Sequence, residues 1–313
     1  MNDDRLHDYF VCDTAMAGRL FRCFSKTIEV DQLIPLHGGM STSNYCAVSG
    51  DKKYLLKIYA SYAESIEPSV YTFLKRHECT PEFFYYDESR KICPHPYAII
   101  EFINGVTFGE YVSIHKRYDE EKVRDIAQKI AAIHKNVYQE SGVLDSALRI
   151  KASMGDTRAL IRRSLAGKPG DYISSGCRHG LEQYMLHNED IFGRIDCDFV
   201  LCHGDMSNGN ILISDDCVYF IDFEYALAES RYRDIGKFFR NKTPDIQRYI
   251  TDATYAAFQD GYADVGFMLP DDWLHLARIA DIPVMLGLLN REAPPTDWVD
   301  DIEHDICTAI LHR

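Results

Sequence analysis

The chain has 313 residues, a formal net charge of −14, and 46% hydrophobic and 26% charged residues. This length can bury a substantial core and predicts two lobes or domains. The acidic balance argues against nucleic-acid binding, which needs basic surfaces. No apolar run is long enough for a membrane span, and the charged first residues are not typical of a secretory signal. Ten scattered cysteines without a Cys-x-x-Cys motif indicate reduced thiols, so we expect a cytoplasmic protein.

The N-terminal part of the chain alternates apolar strands with turns. A helical lead-in is expected over residues 1–27. Three strands are expected at 28–36, 45–48 and 54–59, a helix at 61–77, and two further strands at 80–87 and 96–103. Between the first two strands lies a glycine- and serine-rich turn, residues 37–44, whose main-chain N–H groups could approach phosphate oxygens. An ordinary hairpin would show the same turn residues. The pattern predicts a five-stranded antiparallel sheet with one helix.

From Phe108 onward the hydrophobic pattern has helical spacing. We expect helices at 123–137, 181–192, 234–239, 245–262, 271–290 and 297–311, and an irregular segment over 142–180. His134 is expected to be a packed histidine rather than a ligand. Asp234 stands at a helix start, where an aspartate caps main-chain N–H groups. The sequence therefore predicts an α+β protein whose second part is larger and mainly helical.

The stretch from Val200 to Asp222 carries the most chemistry. An apolar run leads into His203-Gly204-Asp205, Asn210 follows after four residues, and two further apolar runs lead to Asp222. Two carboxylates and an amide at strand ends suit phosphoryl transfer from a metal-bound nucleotide. One carboxylate receives the acceptor's proton, while the amide oxygen and the other carboxylate bind Mg²⁺. A hairpin with polar turn residues is the alternative, but it does not account for the three side chains together.

This spacing resembles the protein-kinase order of His-Arg-Asp, four residues, Asn, and then a separate Asp-Phe-Gly. With His203-Gly204-Asp205 and Asp222-Phe223-Glu224, the sequence resembles the aminoglycoside phosphotransferase family, a small-molecule kinase branch of the protein-kinase-like superfamily. The resemblance implies a bilobal protein-kinase-like fold. Residues 1–103 would form the nucleotide-binding lobe, and residues 104–313 the catalytic and acceptor-binding lobe.

The resemblance also implies which residues contact the nucleotide. Lys57 would bind the α- and β-phosphates, oriented by an acid of the next helix, for which Glu67 is preferred to Glu64. The remaining expected contacts are through the main chain: Ser41, Thr42, Ser43 and Asn44 over the phosphates, and Glu101 and Ile103 at the adenine. Asp205 would be the catalytic base, and Asn210 and Asp222 the Mg²⁺ ligands. The nucleotide is expected to be ATP, with GTP as the alternative, because both present the same phosphates.

The acceptor is expected to be a small cationic molecule with a hydroxyl group, and an aminoglycoside-type antibiotic comes first. Choline, thiamine and homoserine kinases share these motifs, and the net charge does not separate them. The C-terminal helices are rich in acids that would suit ammonium groups, although none is singled out. A catalytically inactive nucleotide-binding module is the alternative from another class. A metal-dependent hydrolase using His203 lacks further histidines at suitable spacing.

Overall fold

The computed structural model describes most of the chain, namely residues 8–36, 41–59, 65–215, 217–240 and 244–311. The chain forms two compact units. The first consists of residues 1–105 and 214–221, and the second of residues 106–213 and 222–313. None of the described helices is both long enough and apolar enough to span a bilayer.

The first unit is built around an antiparallel sheet. Its N-terminal elements are α1 (Thr14–Phe24), β1 (Gln32–Leu36), β2 (Thr42–Ser49), β3 (Lys52–Tyr59), α2 (Glu67–Leu74), β4 (Phe83–Asp87) and β5 (Tyr97–Glu101). The strands follow the order β1-β2-β3-β5-β4. Leu56 and Ile58 of β3 are fully buried in the same hydrophobic cluster as Leu20 and Phe21 of α1. Because side chains alternate along a strand, Lys57 projects from the opposite face of the sheet.

The remaining described α-helices and β-strands are β6 (Val106–Thr107), α3 (Phe108–His115), α4 (Glu120–Ile133), β7 (Val137–Tyr138), β8 (Gly142–Leu144), β9 (Ile150–Ser153), α5 (Thr157–Leu165), α6 (Pro169–Tyr172), α7 (Ser175–His187), α8 (Glu189–Ile195), β10 (Phe199–Cys202), β11 (Ile211–Ser214), β12 (Cys217–Phe220), β13 (Leu227–Ser230), α9 (Arg231–Phe239), α10 (Pro244–Gln247), α11 (Asp252–Asp264), α12 (Trp273–Leu288) and α13 (Thr296–Leu311). The predicted α+β class, with a five-stranded antiparallel sheet and a mainly helical second part, is confirmed.

A second sheet, with the order β7-β10-β13-β8-β9, fixes the surroundings of residues 203–210. β10 and β13 are antiparallel neighbours, and Cys202 at the end of β10 pairs with Leu227 at the start of β13. β13 leads directly into α9. Helix α9 lies close against α12, because a Cβ atom on Gly236 would fall 2.3 Å from the carbonyl oxygen of Ala277. The loop after β10 and the helix after β13 are therefore held at one end of this sheet.

The helix expected over 61–77 begins later than the sequence suggested. Ser65 and Ile66 are not helical, α2 starts at Glu67, and residues 61–64 lie outside the described part of the chain. Pro68 lies in the first turn of α2. Main-chain N–H groups in a first turn have no partner within the helix, so proline, which lacks this group, is tolerated there.

The expectation of an irregular segment over 142–180 is wrong. That segment contains β8, β9, α5, α6 and the start of α7. The two short strands pair with each other, and β8 also pairs with β13, which is far away in sequence. The helix expected over 181–192 is divided between α7 and α8 at Asn188, whose φ of −127° and ψ of 49° are not helical.

Candidate active site

The loop that follows β10 is fixed by a buried carboxylate of α9. Asp234 accepts hydrogen bonds from the main-chain N–H groups of His203, at 2.7 Å, and Gly204, at 3.0 Å. Burial alone would raise the pKa of Asp234, but hydrogen bonding and charge from His134, with further help from His203, lower it below its ordinary value. Asp234 is therefore an ionised brace that holds the start of the loop against the helix.

Gly204 is required by the shape of this loop. Its φ of +84° lies in the left-handed region, and a Cβ atom at this position would fall 2.0 Å from the carbonyl oxygen of Tyr225. Any side chain would therefore collide with main chain that cannot move aside cheaply. The glycine allows the chain to turn sharply between the bonded N–H of His203 and the side chain of Asp205.

Asp205 is held on both of its carboxylate oxygens. Asn210 Nδ2 donates to Oδ2 at 2.9 Å and to the main-chain oxygen of Asp205 at 2.8 Å. Lys237 Nζ of α9 lies 2.9 Å from Oδ1, and the Asp205 side chain is 34% exposed. Burial by itself would raise the pKa of Asp205, but Lys237, His203 and Asn210 together lower it below its ordinary value. The result is an ionised, oriented carboxylate that solvent can still reach.

Asn210 and Asp222 supply oxygen donors near this carboxylate's loop. Since the Asn210 nitrogen donates to Asp205, its oxygen is the atom that could bind a metal. Asp222 adopts a left-handed conformation, with φ 69° and ψ 59°, that is uncommon for residues other than glycine. The ring of the next residue, Phe223, lies 4.3 Å from the imidazole of His203 between centroids, so this segment packs on the loop. Asn210 and Asp222 each offer a side-chain oxygen of the kind that Mg²⁺ prefers.

A buried cluster beneath the loop contains His134, Cys202 and Asp234, whose ligand-type atoms lie within 4.8 Å of one another. These atoms already have hydrogen-bond partners. His134 Nδ1 faces the hydroxyl of Tyr262, and the Cys202 thiol faces the carbonyl oxygens of Glu229 and Ser230. Burial raises the pKa of Cys202 well above its ordinary value, which disfavours the thiolate that binds metals. We interpret the cluster as a hydrogen-bonded support for Asp234.

In the first unit, Lys57 and Glu67 form a buried ion pair. Lys57 Nζ lies 2.7 Å from Glu67 Oε2 and 2.8 Å from Oε1, and the two side chains are 6% and 0% exposed. The hydroxyl of Tyr59 donates to Glu67 Oε2 at 2.7 Å. Glu64 lies outside the described residues. Lys57 is thus fixed by a carboxylate that is itself oriented by a tyrosine.

The placement of Thr42, Ser43 and Asn44 in a turn is wrong, since these residues are the first three of β2. Asn44 is flanked by Leu36 of β1 and Lys57 of β3, so pairing with two strands extends the sheet towards the turn. Ser43 Oγ accepts a hydrogen bond from the main-chain N–H of Phe10 at 2.8 Å. Ser41 lies in a bend just before the strand, and residues 37–40 are outside the described part.

The two residues expected at the adenine lie at and just after the end of β5. Glu101 is the last residue of β5, and its carboxylate accepts from the N–H of Glu82 at 2.9 Å. Two residues further on, the carbonyl oxygen of Ile103 accepts from the N–H of Gly105 at 3.1 Å. The structure therefore brings together Lys57 with Glu67 in the first unit, and Asp205 with Asn210 in the second.

The model of the phosphotransferase enzyme family (APH) matches residues 32–273. The chain belongs to this family. Spectinomycin phosphotransferase, solved with ADP and spectinomycin, has the same fold at 15% identity and a TM-score of 0.66, covering 96% of this chain and 99% of that one. Choline kinase from Cryptosporidium parvum Iowa II gives 14% identity and a TM-score of 0.62, covering 95% of each chain. Plasmodium vivax ethanolamine kinase gives 16% identity and a TM-score of 0.61, covering 91% of this chain and 84% of that one. A comparison with curated proteins found no match.

Two contacts among the candidate site residues were not predicted from the sequence. Lys237 reaches Asp205 from α9, and Tyr59 reaches Glu67 from β3. Tyr59 stands two residues after Lys57, on the same face of the strand, so period-two alternation could have suggested it. Lys237 stands three residues after Asp234, on the same side of the helix. Lys237 is far from Asp205 in the sequence, so no local pattern predicted their contact.

Proposed function

We propose that this protein is a Mg²⁺-dependent phosphotransferase that moves the γ-phosphate of ATP, or of GTP, to a hydroxyl group of a small, cationic molecule. The observation that carries this proposal is the setting of Asp205. Its carboxylate is ionised, held on both oxygens, and still partly exposed. Such a group can orient a hydroxyl and receive its proton as the phosphoryl group is transferred.

The other residues are assigned to binding the nucleotide and its metal. Asn210 and Asp222 would hold Mg²⁺, which would neutralise charge on the phosphates. Lys57, oriented by Glu67, would bind the phosphates. The main chain would make the remaining contacts, at Ser41, Thr42, Ser43 and Asn44 with the phosphates and at Glu101 and Ile103 with the adenine. Residues 1–103 would thus serve the nucleotide, and residues 104–313 catalysis and the acceptor.

An aminoglycoside-type antibiotic is the first acceptor we propose. Asp301 and Asp305 of α13 line a cavity of about 410 Å³ in the second unit, and their carboxylates could bind ammonium groups. Arg278 lines the same cavity, so the acceptor would also need hydrogen-bond acceptors. Two structural neighbours are a choline kinase and an ethanolamine kinase, so a kinase that acts on such a metabolite is our second proposal.

All ten cysteines are free thiols, which supports a cytoplasmic location.

The deciding experiment measures nucleoside-diphosphate release with Mg²⁺ and ATP or GTP across aminoglycosides, cationic peptide antibiotics, choline, ethanolamine, thiamine and homoserine. Asp205→Asn should lower kcat on the active acceptor about 100- to 10,000-fold, because general-base catalysis contributes this much. Asp125→Asn, which removes a carboxylate of α4 paired with Lys129, is the matched control and should keep full activity. Turnover that survives in Asp205→Asn would remove Asp205 from its role. Nucleotide binding without turnover on any acceptor would favour the inactive module.

A further inference from the structure

Lys237 of α9 contacts the carboxylate that the proposed reaction needs. Its Nζ lies 2.9 Å from Asp205 Oδ1, and its side chain is only 14% exposed. Asn210 holds the other oxygen, Oδ2, at 2.9 Å. Because each oxygen of the Asp205 carboxylate contacts a different donor, the carboxylate cannot rotate about its terminal bond without losing one of these two contacts. Each oxygen keeps a further lone pair for a hydroxyl group.

Helix α9 holds Lys237 in place through two independent contacts. Asp234, one turn earlier, binds the main-chain N–H groups of His203 and Gly204. Gly236 lies against the main chain of α12, where a Cβ atom would come within 2.3 Å of the Ala277 carbonyl oxygen. The first contact sets the distance between helix and loop, and the second sets the rotation of the helix. Together they aim residue 237 at the side chain of Asp205.

The charges around Lys237 also favour this contact. Asp281 of α12 is buried and feels the charge of Lys237, but it already forms an ion pair with Arg240. Lys237 and Arg240 therefore each have a carboxylate partner of their own. Lys237 also lines a cavity of about 470 Å³ with Thr107, Ser113, Asn208 and Arg240. A molecule in this cavity would border the same amine that holds Asp205.

We propose that Lys237 is a positioning residue for Asp205, which together with Asn210 fixes the carboxylate in the orientation that receives the acceptor's proton. This inference rests on the proposed phosphotransferase function. A lysine that merely balanced surface charge would contribute little, since exposed ion pairs are screened by water. A lysine that only bound the acceptor would act on KM. A positioning residue acts on kcat, and its effect disappears once Asp205 has lost its function.

The test compares Lys237→Met, Lys237→Arg and wild-type enzyme under steady-state conditions with the active acceptor. Lys237→Met should lower kcat about 10- to 100-fold, because small displacements of reacting groups cost this much. KM for both substrates should stay within about twofold. Lys237→Arg should recover part of kcat, since a guanidinium also donates to a carboxylate. Lys129→Met is the matched control, because Lys129 is a partly buried helix lysine paired with Asp125 at 3.1 Å; it should leave kcat unchanged.

A double-mutant cycle with Asp205→Asn separates positioning from an independent effect. Lys237→Met should have almost no further effect on the residual activity of Asp205→Asn. Equal losses in both backgrounds would overturn the proposal, as would an unchanged kcat in Lys237→Met or a change confined to KM. If Lys237→Met does not fold, Lys237→Gln takes its place in the cycle.

A crystal structure of Lys237→Met gives a result that does not depend on turnover. Asp205 should leave its orientation or occupy two rotamers, while His203 and Gly204 stay bonded to Asp234. An Asp205 side chain that keeps its single orientation would overturn the positioning role, even if the acceptor is never found. Absence of turnover in the wild-type enzyme would instead count against the proposed function alone.

Discussion

Two of the lysine–carboxylate pairs in the described residues, Lys57–Glu67 and Lys237–Asp205, have the same chemistry but different surroundings. Lys57 and Glu67 are 6% and 0% exposed, and Tyr59 adds a hydrogen bond to the carboxylate. Lys237 and Asp205 are 14% and 34% exposed. In the first pair both charges have left water, so each depends on the other. In the second the carboxylate remains open to solvent and to a substrate. We therefore expect the first pair to matter more for folding stability, while the carboxylate of the second stays accessible to a substrate.

The largest effect on stability is expected at the buried pair. Glu67→Gln should lower the free energy of unfolding by about 3–5 kcal/mol, because it removes one partner of a buried ion pair. Urea denaturation measures this loss. The double variant Lys57→Met, Glu67→Gln should be more stable than Glu67→Gln alone, since it also removes the buried charge of Lys57. A loss below about 1 kcal/mol, typical of a surface pair, would contradict the difference between the two pairs.

An intermediate effect is expected at the brace beneath the second pair. Asp234→Asn keeps one acceptor oxygen but turns an amide nitrogen towards the N–H group of either His203 or Gly204, which donate to different oxygens of Asp234. The free energy of unfolding should fall by about 1–3 kcal/mol, the cost of an unsatisfied buried donor. kcat should fall as well, because the loop that carries Asp205 loses its anchor.

The same variant should also change how stability depends on pH. Burial opposes ionisation of Asp234, but His134 and the loop N–H groups outweigh it, so the folded pKa is lowered. The contribution of a carboxylate with a lowered pKa is present above the unfolded value of about 4 and disappears as the pH falls through the folded value. Unfolding measured between neutral pH and pH values near 3 should show a shallower acid loss in Asp234→Asn. An identical slope in both proteins would contradict an ionised brace.

The smallest effect on stability is expected at the second pair itself. Lys237→Met should change the free energy of unfolding by less than about 1 kcal/mol, because the carboxylate is partly exposed and Asn210 still holds it. Thermal unfolding at neutral pH is the measurement. A loss as large as that of Glu67→Gln would make the Lys237 pair a folding element, and the contrast between the two pairs would fail.

The sequence predicted those parts of the site that lie close together along the chain. Asp205 and Asn210 are five residues apart, and the apolar runs around them fix the loop between two strands, so their spacing is informative without a structure. Glu67, ten residues after Lys57, was preferred to Glu64 through the family resemblance. These are local properties, and local patterns reflect local geometry.

Residues that meet through packing were not predictable in the same way. Lys237 reaches Asp205 only because α9 follows β13, which pairs with β10. The strands β8 and β9 were missed; β9 pairs with β8, and β8 in turn pairs with β13, far along the chain. Residues 42–44 have turn-forming side chains, but pairing with β1 and β3 extended the strand over them. Tertiary pairing outweighed composition in each case.

Gly204 has a consequence for how this chain can vary. Every other amino acid carries a Cβ atom, and that atom would fall 2.0 Å from the carbonyl oxygen of Tyr225. No missense codon at this position is therefore conservative, not even the one for alanine. In a library that samples all substitutions under selection for activity, position 204 should retain only the starting residue. Its intolerance would arise from backbone space alone, although the residue has no side chain with which to bind or react.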